Sequence, residues 1–301
     1  ALALGAAVAA AAVAVTFVAD SGDAPHRPPL GVIEAAAATA ATDARFSGYT
    51  AETRMDIRTP DGPGTQDRSW TIVRPVSDTE YEARIEYLRP PAVGDVSGGG
   101  APESDGVERL ERREGEQIRD IMRWRQPYGT MFQLIPAFFG RGSTEGPVLV
   151  PTDPDAVAAA VAAWAADRVP AGAHPEQVFR IEDAGRSPIQ RALLYAGNVL
   201  TAPRVSSAVR AAVFRALSRV DGVRVNPQAK DRLGRPAAAL MAEDTDGRSR
   251  TRSELLIDTG TSRILAERHV FSPEPGVNEN RGQDDPPVGE GWQETTYRYT
   301  H

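Results

Sequence analysis

Between Tyr49 and Ile57 apolar and polar positions alternate: Tyr49, Ala51, Thr53, Met55 and Ile57 against Thr50, Glu52, Arg54 and Asp56. A period of two sends the sets to opposite sides of an extended chain, which predicts a strand with one wet face. Tyr81, Ala83, Ile85 and Tyr87 repeat the pattern against Glu80, Glu82, Arg84 and Glu86, and "SWTIV" between them is a third strand candidate. Strands that are each half solvated belong to an antiparallel sheet.

The period then changes. "PTDPDAVAAAVAAWAADRV" begins with Thr152 or Asp153 as cap, Pro154 in the first turn and Asp155 on the helix dipole, and places Val157, Val161 and Trp164 on one face. "SPIQRALLYAGNVL" starts a second helix with Ser187 as cap. "RVSSAVRAAVFRALSRVDG" aligns Val209, Val213, Leu217 and Val220 before a stop at Gly222. "LGVIEAAAATAATDA", residues 30–44, is a further helix by propensity and length. Strand patterns return in "GVRVNPQA", "RPAAALMAED", "RSELLID", "SRILAERHVF" and "GWQETTYRYT", spaced as an antiparallel meander whose one face the helices cover. Residues 89–106 and 272–290 read as flexible loops.

The first stretch, residues 1–19, has no charge and as a helix would reach about 28 Å, enough for a hydrocarbon core of about 30 Å. A membrane span, the apolar part of a cleaved signal and a buried alanine-rich helix compete for it. Leu2, Leu4, Val8, Val13, Val15, Phe17 and Val18 leave no polar face, which favours the span. Residues 20–29 then form a Pro-rich juxtamembrane linker, and residues 30–301 an extracytoplasmic α+β domain. The flank before Ala1 that would set orientation is not in the sequence, so the outward placement rests on the rest of the chain.

Composition narrows the chemistry. With 41% hydrophobic residues the chain can bury a core, and a net charge of −7 with Lys230 as its one lysine gives no reason to expect nucleic acid. Arginines and aromatics mix in "QIRDIMRWRQPYGTMF", yet Ile121 and Trp124 are more simply core contacts with arginines at the rim. The absence of cysteine removes disulfides, thiolate metal sites, thiol nucleophiles and lipoprotein acylation. His26, His174, His269 and His301 have no metal spacing, and "GRGSTEGP" lacks the Lys-Ser/Thr of a phosphate loop.

"SELLIDTGTS" looks like the active-site turn of an aspartic protease, centred on Asp258. That chemistry needs a second carboxylate sharing a proton, and the other Asp-Ser-Gly, Asp20 to Gly22, is followed by Asp23 and preceded by no strand. The expectation is a hairpin turn joining Leu255–Ile257 to Ile264–Ala266. No catalytic, cofactor-binding or metal-binding residue is assigned, and the domain reads as non-enzymatic.

"VLVPTDPDAVAAAV", "AVRAAVFRALSRVDGV", "DRLGRPAAALMAED" and "ELLIDTGTSRILAER" together resemble an actinobacterial family of single-pass membrane-anchored proteins, often encoded beside extracytoplasmic-function sigma factors. The resemblance covers most of the chain after residue 145. It implies a single-pass topology with this domain outside and a sensing or anti-sigma role. The expected partners are the membrane and, on the outer side, a protein or a small apolar ligand. The order of elements is also similar to periplasmic lipoprotein-carrier and sigma-regulator sensor folds. That similarity implies a curved, half-barrel-like sheet and, as the alternative function, a lipid or lipoprotein carrier of the envelope.

Overall fold

The computed structural model describes residues 30–43, 45–59, 62–89, 108–114, 117–128, 130, 150–171, 187–245, 248–274 and 290–300. The apolar stretch with Leu2, Leu4, Val8, Val13, Val15, Phe17 and Val18 lies outside them, as do Asp20, Asp23, His26, His174, His301 and "GRGSTEGP". Among the described residues no helix is long and apolar enough to cross a membrane.

The first alternating stretch becomes β1 (Gly48–Thr59), followed by β2 (Gly62–Pro75) and β3 (Glu80–Arg89). Two further strands, β4 (Glu108–Glu114) and β5 (Gln117–Pro127), complete the N-terminal half. The second half is the expected meander: β6 (Arg224–Lys230), β7 (Pro236–Thr245), β8 (Ser249–Ile257), β9 (Ile264–Pro273) and β10 (Glu290–Thr300). All ten join one open antiparallel sheet in the order β4-β5-β3-β2-β1-β10-β9-β8-β7-β6. The two halves meet where β10 pairs with β1, Tyr49 opposite Tyr299 and Ala51 opposite Tyr297.

Among the described residues four helices cover one face: α1 (Leu30–Thr42), α2 (Pro154–Ala165), α3 (Pro188–Thr201) and α4 (Ser207–Leu217). The caps follow the sequence. Asp153 accepts the Asp155 amide at 3.1 Å, and Ser187 and Gln190 exchange side-chain and backbone bonds in a capping box. Helix α3 lies across β7, β8 and β9, α1 packs on α4, and α2 packs on both α3 and α4. Their buried stripes meet the inward set of strand residues in one continuous core containing Ile33, Trp164, Leu193, Phe214, Tyr49, Tyr81, Ile85 and Leu240.

Register defines the other face. Ile121 and Trp124 are both buried but, an odd number of positions apart in β5, they point to opposite sides of the sheet. Trp124 is in the helix-covered core, whereas Ile121 shares the outer side with the arginines. On that side Glu52 accepts from Arg54, Arg68 and Arg232 at 3.0, 2.6 and 2.9 Å, and Glu86 lies 2.6 and 2.7 Å from Arg84 and Arg119. Glu254 and Glu294 share Arg268 at 2.9 and 2.7 Å. The β6–β7 connection folds over this face: Arg232 donates its amide to Glu294, and Arg235 donates to the carbonyls of Tyr297 and Leu265, both at 3.0 Å. Beside it Ala237, Ala239, Leu256, Leu265 and Ala266 form a second, small apolar cluster.

Candidate functional site

Asp258 sits in a tight connection between β8 and β9. Its Oδ1 accepts the Gly260 amide at 2.8 Å, its own amide donates to Arg263 O at 2.9 Å, and its carbonyl accepts from Ser262 N at 2.7 Å. Ser262 takes a positive φ of 55°. The carboxylate therefore holds a local Asx turn, as the hairpin reading expects. Among the described residues there is no group of three or more His, Asp or Glu suited to a metal ion.

The inner face of the central strands brings unusual chemistry together. At one end, under the helices, Tyr49, Tyr297 and Tyr299 cluster with Phe46, ring centroids 4.5 to 6.2 Å apart. Glu267, from β9, reaches into this cluster and accepts a 3.1 Å hydrogen bond from the Tyr297 hydroxyl. Gly197 of α3 passes close above: a Cβ there would stand 3.0 Å from Glu267 Oε1 and 3.1 Å from Leu255 Cδ2. Burial first, then the charge of Glu267 and the phenols around it, push Tyr297 well above the usual phenol range. Tyr49 and Tyr299 are raised as well, again first by burial. The cluster is thus uncharged phenols around one carboxylate.

The rim of the cluster is clamped by ions. Asp43, just past α1, lies 3.2 Å from both Arg210 of α4 and Arg263 of the β8–β9 turn. Arg210 is 1% exposed and also donates to the Asp43 carbonyl at 3.0 Å. Arg263 stands 5.6 Å over the Tyr299 ring. Next to Phe46, Arg204 holds a positive φ of 58°, stacks 4.1 Å over Tyr128 and donates to Asp78 O at 2.6 Å.

Further along the same strands the inner face changes character. Thr53, Met55, Ser69, Thr71, Thr295, Gln293, His269 and Phe271 are all half-buried, while Tyr49, Ala51 and Val73 at the other end are buried. Thr53 and Thr295 share a 2.8 Å hydrogen bond across β1 and β10, and Ser253 Oγ is 3.1 Å from His269 Nδ1. His269 therefore lies on the inward side of β9. The result is a half-buried patch of hydroxyls, a thioether and an aromatic ring on the inner side of the strands, next to the tyrosine cluster.

No family model and no curated protein matches the chain.

Sequence reasoning did not single out Glu267, Tyr297, Asp43 or Arg210. One signal was present for Glu267. It follows Ile264, Leu265 and Ala266 and stands opposite Leu255 and Thr295, so an acid occupies an inward strand position that otherwise takes apolar or small residues. The pairing of Asp43 with Arg210 joins residues 167 positions apart and left no local trace.

Proposed function

We propose that this chain is a non-enzymatic binding domain, held outside the cytoplasm by its N-terminal apolar segment, that senses a ligand or partner segment on the inner face of its sheet. The observation that carries this reading is the change along β1 and β10 from a buried aromatic cluster to a half-buried patch of mixed polar and apolar side chains. A patch of Thr, Met, Phe and His side chains offers apolar area with a few fixed polar groups, which is the make-up of a recognition site. The donors there are spent on structure: Thr53 on Thr295 and Tyr297 on Glu267. A sensor domain so placed would pass its state across the membrane to a sigma factor. A cytoplasmic segment before Ala1 long enough to hold a sigma-binding helix would support that step.

The apolar members of the patch, Met55 and Phe271, favour a second reading: a half-barrel-like carrier of lipid or lipoprotein in the envelope. Native mass spectrometry of the full chain, extracted from membranes in mild detergent, separates the two. A bound lipid lost in the Met55→Asp variant supports the carrier, and a bound polypeptide supports the sensor. A bare chain in both wild type and Met55→Asp contradicts binding on this face.

A further inference from the structure

The outer face of the N-terminal half of the sheet carries a surplus of positive charge that nothing above uses. In a chain of net charge −7, the arginines on the outer side of β1, β2, β3 and β5 outnumber the carboxylates. Two of the acids are shared: Glu52 by Arg54, Arg68 and Arg232, and Glu86 by Arg84 and Arg119. Glu82 lies 3.7 Å from Arg123 and stands in register between Arg74 and Arg125. Arg74 and Arg125 are exposed and have no ion-pair partner among the described residues. Sharing one carboxylate among several guanidiniums fixes the arginine side chains in place without cancelling their charge.

Apolar groups lie flush with these charges. Two guanidiniums approach Trp70, Arg68 at 4.5 Å and Arg119 at 5.8 Å from its ring centroid. Ile72 is half-buried on the same side, and Leu110 of β4, opposite Ile121, is 47% exposed. Four or five strands at about 4.8 Å spacing make a plane about 20 Å wide. Arginine forks, a tryptophan and short aliphatic groups on one plane match the headgroup zone of a bilayer, where cationic forks meet phosphates and indole rings sit at the interface.

We propose that this outer face docks on an anionic lipid bilayer. The proposal rests on the reading of residues 1–19 as a membrane anchor, because a tethered domain meets its own bilayer at high effective concentration and modest charge attraction then suffices.

The test uses the full chain reconstituted by detergent removal into vesicles of phosphatidylcholine alone or phosphatidylcholine with phosphatidylglycerol. The chain contains no cysteine, so Ile72→Cys takes a single fluorophore on the outer face, and Arg215→Cys, exposed on α4 in the helix layer, takes the control. Lipids carrying a headgroup quencher report contact. Expected are flotation with both vesicles, and quenching at position 72 but not 215 only with the anionic lipid. That quenching should be lost in high salt and cut about five-fold by each of Arg74→Glu and Arg125→Glu. Flotation with both vesicles and no anionic-specific quenching overturns the docking and leaves the anchor standing. Flotation only with anionic vesicles keeps the docking and removes the anchor, and flotation with neither overturns both.

Discussion

Asp43 holds more of this structure than its place at a helix end suggests. It sits between the guanidiniums of Arg210 and Arg263, each 3.2 Å away, and Arg210 is almost wholly out of water. Removing the carboxylate strands a buried cation, which costs about 3–5 kcal/mol, whereas removing both charges together costs far less. Asp43→Ala should therefore lower the free energy of chemical unfolding by about that amount, and Asp43→Ala with Arg210→Met should recover part of it. Additive losses would show that the pair is not coupled. Glu52 gives a second test. Burial alone would raise its carboxyl, but hydrogen bonds from Arg232, Arg54 and Arg68 outweigh burial and bring it from 4.5 down to about 2. A carboxylate held below its ordinary pKa stabilises the fold above that ordinary value, and the contribution disappears as pH falls from 4.5 toward about 2. The melting temperature of Glu52→Gln should therefore fall less steeply than that of wild type over that window. Parallel curves would remove Glu52 from the account.

At the scale of elements, sequence and structure agree where a local rule decides. The capped helices at Asp153 and Ser187 begin where their hydroxyl or carboxylate and proline predict, and Asp258 turns the chain between β8 and β9 as an Asx residue should. Strand β4, "ERLERRE", was not legible, because an edge strand needs few apolar residues and one crowded with charge reads as a loop. Strand β2 extends well before "SWTIV" for a related reason: Gly62 to Arg68 contains no apolar alternation and is held by its pairing with β1. Helix α4 ends at Leu217, short of Val220, yet Val220 still packs on the core, since the turn that follows curls back over it. That turn closes at Gly222, whose φ is 90° and whose missing Cβ would fall on Ile189 Cδ1. Gly222→Ala should cost about 1–3 kcal/mol through both strain and overlap, measured by urea denaturation. Ser187→Ala, which removes one cap from α3, should cost about 1 kcal/mol in the same assay.

For the whole molecule, the decisive contacts are long-range. Strand β10 returns to β1 and puts Tyr297 and Tyr299 on Tyr49, and β9 then places Glu267 among their phenols. No spacing in the sequence encodes that meeting, so the fold class was readable and the inner site was not. Because these phenols are raised above their unfolded value near 10, the folded state gains from them below about pH 10 and loses that gain as pH rises further. Tyrosinate absorbance should show Tyr49 and Tyr297 still protonated at about pH 11 in the folded chain, with Glu267→Gln letting Tyr297 ionise earlier. Early ionisation of all tyrosines in wild type would contradict a closed cluster. The sheet's two faces divide the labour proposed here, recognition inside and lipid contact outside, and both depend on where the chain sits. Protease added to intact cells, followed by fractionation, tests that placement most directly. The account predicts that the full chain sediments with membranes and that its sheet domain is digested from outside, whereas an intact, protected chain recovered in the soluble cytosol would contradict it.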